Sequence, residues 1–88
     1  MPWFVKHETF TAETAALSLE RRRPHLEAHR AWVARETQAG RRIRSGFLVD
    51  ERRCPGGGGL LIFEAESYEE ALAWVSLDPM IQAGLVDW

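Results

Sequence analysis

Apolar residues recur along this chain with two spacings, and the switches between them mark its elements. Trp3 to Glu8 alternates, with Trp3, Val5 and His7 on one face, which predicts a first strand. Thr9 to Thr14 offers several helix N-caps. Leu26, His29 and Val33 then fall at i, i+3 and i+7 with Trp32 beside them, the stripe of an amphipathic helix. Pro24 interrupts that region, because proline removes a helical hydrogen bond and crowds the preceding turn. The pattern predicts a short helical turn before Pro24 and a main helix from Pro24 to Ala39, stopped by Gly40. Arg42 to Val49 reads as a second strand with Ile43, Phe47 and Val49 on one face, and Gly46 marks a bulge or close backbone approach. Asp50 to Gly58 reads as a loop running into the glycine tract Gly56 to Gly59. Leu60 to Ala65 is a continuous apolar run, as expected of a central third strand. Ser67 with Glu70 forms the capping-box pattern of a second helix, whose buried stripe is Ala71, Trp74 and Val75. That helix is expected to stop at Asp78-Pro79. One short turn from Pro79 to Ile81, a stop at Gly84 and a fourth strand from Leu85 to Trp88 complete the chain.

The resulting order, β-α-β-β-α-β, is that of an α+β, ferredoxin-like split βαβ fold. Its helices would cover one face of an antiparallel sheet. Apolar residues point both ways along the first and third strands, so the second face needs a partner. A homodimer packed sheet to sheet is the expected answer.

At 88 residues, 45% of them hydrophobic and four of them Trp, the chain reads as a single packed domain spanning residues 1–88 rather than a disordered segment. Its net charge of −2 provides no general attraction to nucleic acid or an anionic membrane. Ten arginines lie between Arg21 and Arg53, without the interleaved aromatics of a stacking platform. They read as a solvated face paired with Glu27, Glu36 and Glu51, and no nucleic-acid partner is expected. The single cysteine, Cys54, cannot form an internal disulfide and suits a reducing compartment. No apolar run approaches the roughly 18 residues of a membrane span, and the opening residues carry no signal-peptide pattern. A cytoplasmic protein is expected.

His29 is the polar member of an apolar stripe. There it needs a hydrogen-bond partner or a pocket edge, since an unpaired buried polar group costs about 1–3 kcal/mol. Imidazole is also the side chain best suited to moving protons near neutrality. Asp78 caps the turn that Pro79 opens, and the split βαβ arrangement brings the end of the second helix toward the first. A carboxylate at that place would accept a hydrogen bond from His29 and fix its tautomer. A structural His-Asp pair in a ligand-binding module remains open. So does a metal site, since His25 and His29 share a helix face at i, i+4 and His7 would be the third ligand.

His29, Gly40, Gly46, the Gly56 to Gly59 tract, LLIFEAESYEEA and DPMIQAG together resemble the YCII (YciI-like) family over essentially the whole chain. The opening MPWFVKHE is similar to one branch of it. The resemblance implies a dimeric fold related to that of muconolactone isomerase, a barrel-type α/β assembly. It also implies a His-Asp dyad at a small cleft, matched here by His29 and by Asp78 with Pro79 in support. His25 lies outside the matching spacing. The implied activity is cofactor-free and metal-free acid/base chemistry on a small phenol- or quinol-like substrate, such as dehydrochlorination of a chlorinated hydroxyhydroquinone, or a lactone isomerisation. A non-catalytic dimeric ligand-binding module is the alternative. On the dehydrochlorination reading His29 takes the phenolic proton and Asp78 stabilises the imidazolium. Arg22 holds a developing oxyanion, and Gly58 and Gly59 present backbone amides to substrate.

Overall fold

The computed structural model describes residues 1–88 as β1 (Trp3–Phe10), α1 (Ala12–Ala16), α2 (Leu19–Gln38), β2 (Ile43–Val49), β3 (Pro55–Glu64), α3 (Tyr68–Val75), α4 (Pro79–Gln82) and β4 (Val86–Asp87). The strands form one antiparallel sheet in the order β2-β3-β1-β4. The chain is therefore a mixed α+β structure.

Alternation along β1 divides its side chains between two environments. Phe4, Lys6, Glu8 and Phe10 face the helices, whereas Trp3, Val5, His7 and Thr9 face outward and are exposed. The register pairs Phe4 with Phe63, Lys6 with Leu61 and Glu8 with Gly59. On this inner face Leu61, Phe63 and Ala65 join Trp32 of α2 and Ala71, Trp74 and Val75 of α3 in one core. Aromatic packing is its centre: Phe63 lies 4.5 Å from Trp74 between ring centroids, and Trp74 stacks on Trp32 at 4.7 Å. Ser67 caps α3 as expected, accepting from the Glu70 amide. Glu70 answers one residue early, its carboxylate accepting from the Glu66 amide.

Several elements differ from the sequence expectation. No break occurs at Pro24; α2 runs through it from Leu19, capped by Ser18, and the chain breaks instead at Leu17–Ser18. Pro24 deprives only the Glu20 carbonyl of a partner, and both residues are exposed in the first turns, where water replaces the bond. The glycine tract is strand rather than loop. Gly58 pairs with Thr9 and Leu48, and Gly59 with Glu8 and Phe47, so ladders on both sides hold a sequence of low strand propensity extended. The loop shrinks to the stretch around Asp50, whose Oδ1 accepts from the Arg52 and Cys54 amides. The irregularity of β2 lies at Leu48/Val49, not at Gly46, and it takes Val49 out of register with Ile43 and Phe47. Helix α3 ends at Val75, ahead of Asp78; α4 reaches Gln82; β4 keeps only two residues.

Phe63 is 2% exposed and touches the sheet, α2 and α3 through its aromatic neighbours. Phe63→Ala is expected to lower stability by about 3–5 kcal/mol. Urea denaturation checks this, and a loss below about 1 kcal/mol would show that the core closes without it.

Candidate active site

Asp78 begins as a local device. As the N-cap of α4 its Oδ1 accepts the Met80 amide at 3.0 Å, and Pro79, which has no amide to leave unpaired, occupies the first helical position. The cap is fully buried, at 0% exposure. Two side chains from distant elements complete its shell. His29 of α2 approaches Oδ1 through Nδ1 at 2.8 Å, and Lys6 of β1 donates to Oδ2 at 2.6 Å. Lys6 is itself 4% exposed and donates a second bond to Glu8 Oε1 at 3.1 Å.

These contacts decide the charge of Asp78. Burial alone would push its carboxyl above the ordinary carboxylate value. Hydrogen bonds from His29 and Lys6, with the Lys6 charge, outweigh burial and hold it below that value. An ionised carboxylate only accepts, so Nδ1 of His29 carries the hydrogen of the shared bond. In the neutral ring that leaves Nε2 with its lone pair, the form able to take up a proton.

His29 also lines a cleft of about 430 Å³ between α2 and the inner face of the sheet. Leu26, Val33, Phe10, Phe47 and Met80 give it apolar walls, and Glu8, Arg30 and Ser45 supply the other polar side chains. Gly58 and Gly59 line it as well. Gly59, paired with Glu8 and Phe47, contributes space on the cleft side of the ladder, whereas Gly58 pairs with Thr9 and Leu48 of the outer face. A Cβ on Gly59 would lie 3.0 Å from Glu8 Oε1, and one on Gly58 would lie 3.2 Å from the Glu8 carbonyl.

Arg22, the expected oxyanion holder, is not among the residues of the cleft wall. Its guanidinium lies over the Phe10 ring, 5.5 Å from the centroid. Arg30, further along the same helix, reaches the cleft instead. His7 faces outward on β1, and no group of three His, Cys, Asp or Glu side chains converges in a metal-holding arrangement. Lys6, Glu8 and Arg30 were not singled out from sequence. The signal for Lys6 was present: it is the only lysine, and it alternates with Phe4 and Phe10 on the buried side of β1.

A four-stranded antiparallel sheet with helices on one face, and a cleft beside a buried carboxylate bound by His and Lys, describe a small α+β protein with a polar-cornered cleft. The chain belongs to the YCII family: the model of the YCII-related domain matches residues 6–87, a span that includes Lys6, Glu8, His29 and Asp78. Among curated proteins, none matches the chain.

Asp78→Asn is expected to cost about 3–5 kcal/mol near neutral pH, because a buried cation loses its partner. A carboxyl held below the ordinary carboxylate value stabilises fully above that value and loses its contribution as pH falls through the lowered one. The gap between wild type and variant therefore narrows on acidification below the ordinary carboxylate range. Urea midpoints across this range check it; a gap independent of pH would show that ionisation of Asp78 is not what stabilises the fold.

Proposed function

We propose that this protein is a small cofactor-free enzyme whose general base is His29, oriented by Asp78, acting on a phenol- or quinol-like substrate held in the cleft. The observation that carries this reading is the 2.8 Å bond from His29 Nδ1 to a carboxylate with no exposure to solvent. It holds the ring in the tautomer whose Nε2 accepts a proton, and the Asp78 charge stabilises the imidazolium that results. The apolar walls accommodate a single ring, and the polar groups gather at Glu8, His29, Arg30 and Ser45. Dehydrochlorinase-like elimination begins with removal of a phenolic proton and ends with net loss of HCl to give a quinone. Isomerase-like chemistry on a lactone also begins with proton abstraction, so one base serves either.

General-base catalysis typically contributes about 10²–10⁴-fold. With a chlorinated hydroquinone as substrate, His29→Ala is expected to lower kcat/KM by about a hundredfold or more, and Asp78→Asn by at least tenfold. Turnover unaffected by His29→Ala would remove the base from this residue. A panel of phenols and lactones that raise the melting temperature without turning over would make the protein a ligand-binding module instead.

We further propose that residues 1–88 form a single ferredoxin-like domain which dimerises through its outer sheet face. The strand order β2-β3-β1-β4 supports the split βαβ topology. Trp3 is 49% and Val5 62% exposed on this face, and Leu48, Leu60 and Ile62 share it by register. An apolar sheet surface of this kind is stabilised by a second copy. A cytoplasmic location accords with the unpaired Cys54 thiol, and no helix is long and apolar enough to cross a membrane. Val5→Glu is expected to turn a dimer into a monomer in sedimentation velocity. A wild type that already sediments as a monomer at micromolar concentration contradicts the proposed interface.

A further inference from the structure

Arg30 is the one permanent cation on the wall of the cleft, and the protein gives its charge no partner. The ion pairs of the structure engage Lys6, His29, Arg41 and Arg42, and Arg30 is in none of them. Glu27, three residues earlier on α2, is exposed and leaves it unpaired. The place of Arg30 on the helix follows from the turn of about 100° per residue. Passing round α2 from the buried Trp32, the order is His29, Val33, Leu26 and Arg30, with Glu27 beyond it. His29 therefore stands at the inner end of the cleft, bonded to Asp78. Arg30 stands at its mouth, exposed and within reach of a ligand.

The opposite wall supplies a surface for a ring. Ser45 and Phe47 lie on the helix-facing side of β2, the edge strand, paired with Leu61 and Gly59 of β3. Phe47 is 64% exposed there, a large apolar face left open to the cleft. The nearest carboxylate on this face of the sheet is set back from the mouth. Glu8 lies two strands, about 10 Å, from Phe47, and its charge is met by Lys6.

We infer that the cleft binds an aromatic carboxylate, whose ring lies against Phe47 and whose carboxylate pairs with the Arg30 guanidinium. This rests on the reading of the cleft as a substrate site and narrows its substrates to rings that carry an anionic group. A guanidinium presents parallel N–H donors matched to the two oxygens of a carboxylate. An aromatic side chain offers a ring a large apolar contact, with offset stacking preferred. On the proposed mechanism a hydroxyl of the same ring then meets His29, deeper in the cleft.

The probes meta-hydroxybenzoate and its uncharged isostere meta-hydroxybenzamide test this in NMR titrations of wild type, Arg30→Gln, Arg30→Lys and Phe47→Ala. A charge-assisted pair predicts that wild type binds the carboxylate about tenfold more tightly than the amide, a preference that added salt reduces. Arg30→Gln, at an exposed helix position, is expected to abolish the preference and leave affinity for the amide unchanged. Arg30→Lys is expected to keep part of it, since an ammonium retains the charge without the paired geometry. Phe47→Ala is expected to weaken both probes alike; unchanged binding overturns the placement of the ring. Equal binding of both probes by wild type, or a preference that survives in Arg30→Gln, overturns the inference while leaving the cleft as a binding site. Benzoate, which lacks the hydroxyl, reads His29 separately. A carboxylate preference at Arg30 without any hydroxyl preference at His29 upholds this inference and removes the proposed base. Failure of every probe to shift the Leu26 and Val33 resonances overturns both readings.

Discussion

The ion pair between Lys6 and Asp78 is the interaction on which the rest of the site depends. It ties β1 to the start of α4 through two groups almost wholly withdrawn from water. Such a pair persists only when its remaining hydrogen-bonding capacity is used, since desolvation of each ion costs several kcal/mol. Asp78 meets that requirement, accepting from Lys6, His29 and the Met80 amide. Lys6 divides its donors between Asp78 and Glu8. Three elements far apart in the chain are thereby held at fixed separations around one carboxylate.

The consequence for chemistry is preorganisation. His29 is packed beside Trp32 on one side and bonded to a buried anion on the other, so its ring orientation is set before a ligand arrives. With the imidazole neutral, the formal charges of Lys6, Asp78 and Glu8 sum to −1, and taking up a proton at His29 brings the cluster to zero. On the proposed mechanism, a developing imidazolium is met by charge already in place. Gly59 of β3 contributes differently: without a side chain it leaves room beside the Glu8 carboxylate.

Much of this was legible in the residues, and the parts that were not have physical reasons. The helix stripe of Leu26, His29, Trp32 and Val33, the Ser67 cap and the Asp78-Pro79 turn are local signals and are present in the structure. The bond between His29 and Asp78 spans 49 residues, which no periodicity can reveal; the split βαβ topology and the family resemblance together point to it. Lys6 is hard to read from sequence because the Trp3, Val5 and His7 face carries the alternation of β1, and a lysine on the opposite face reads by default as solvated. Only the buried carboxylate beneath it overturns that default. The glycine tract and Pro24 misled for a common reason: local propensity is weak against two flanking strands or a helix already begun.

The central claim is that a buried, ionised Asp78 dictates the proton position on His29. Nitrogen-15 NMR of histidine-labelled protein, in which the two ring nitrogens of the neutral form have distinct shifts, reads that position directly. The predicted spectrum shows His29 with Nδ1 protonated and Nε2 bare, reverting to the ordinary tautomer mixture in Asp78→Asn. A His29 ring protonated at Nε2 in the wild type would contradict the account.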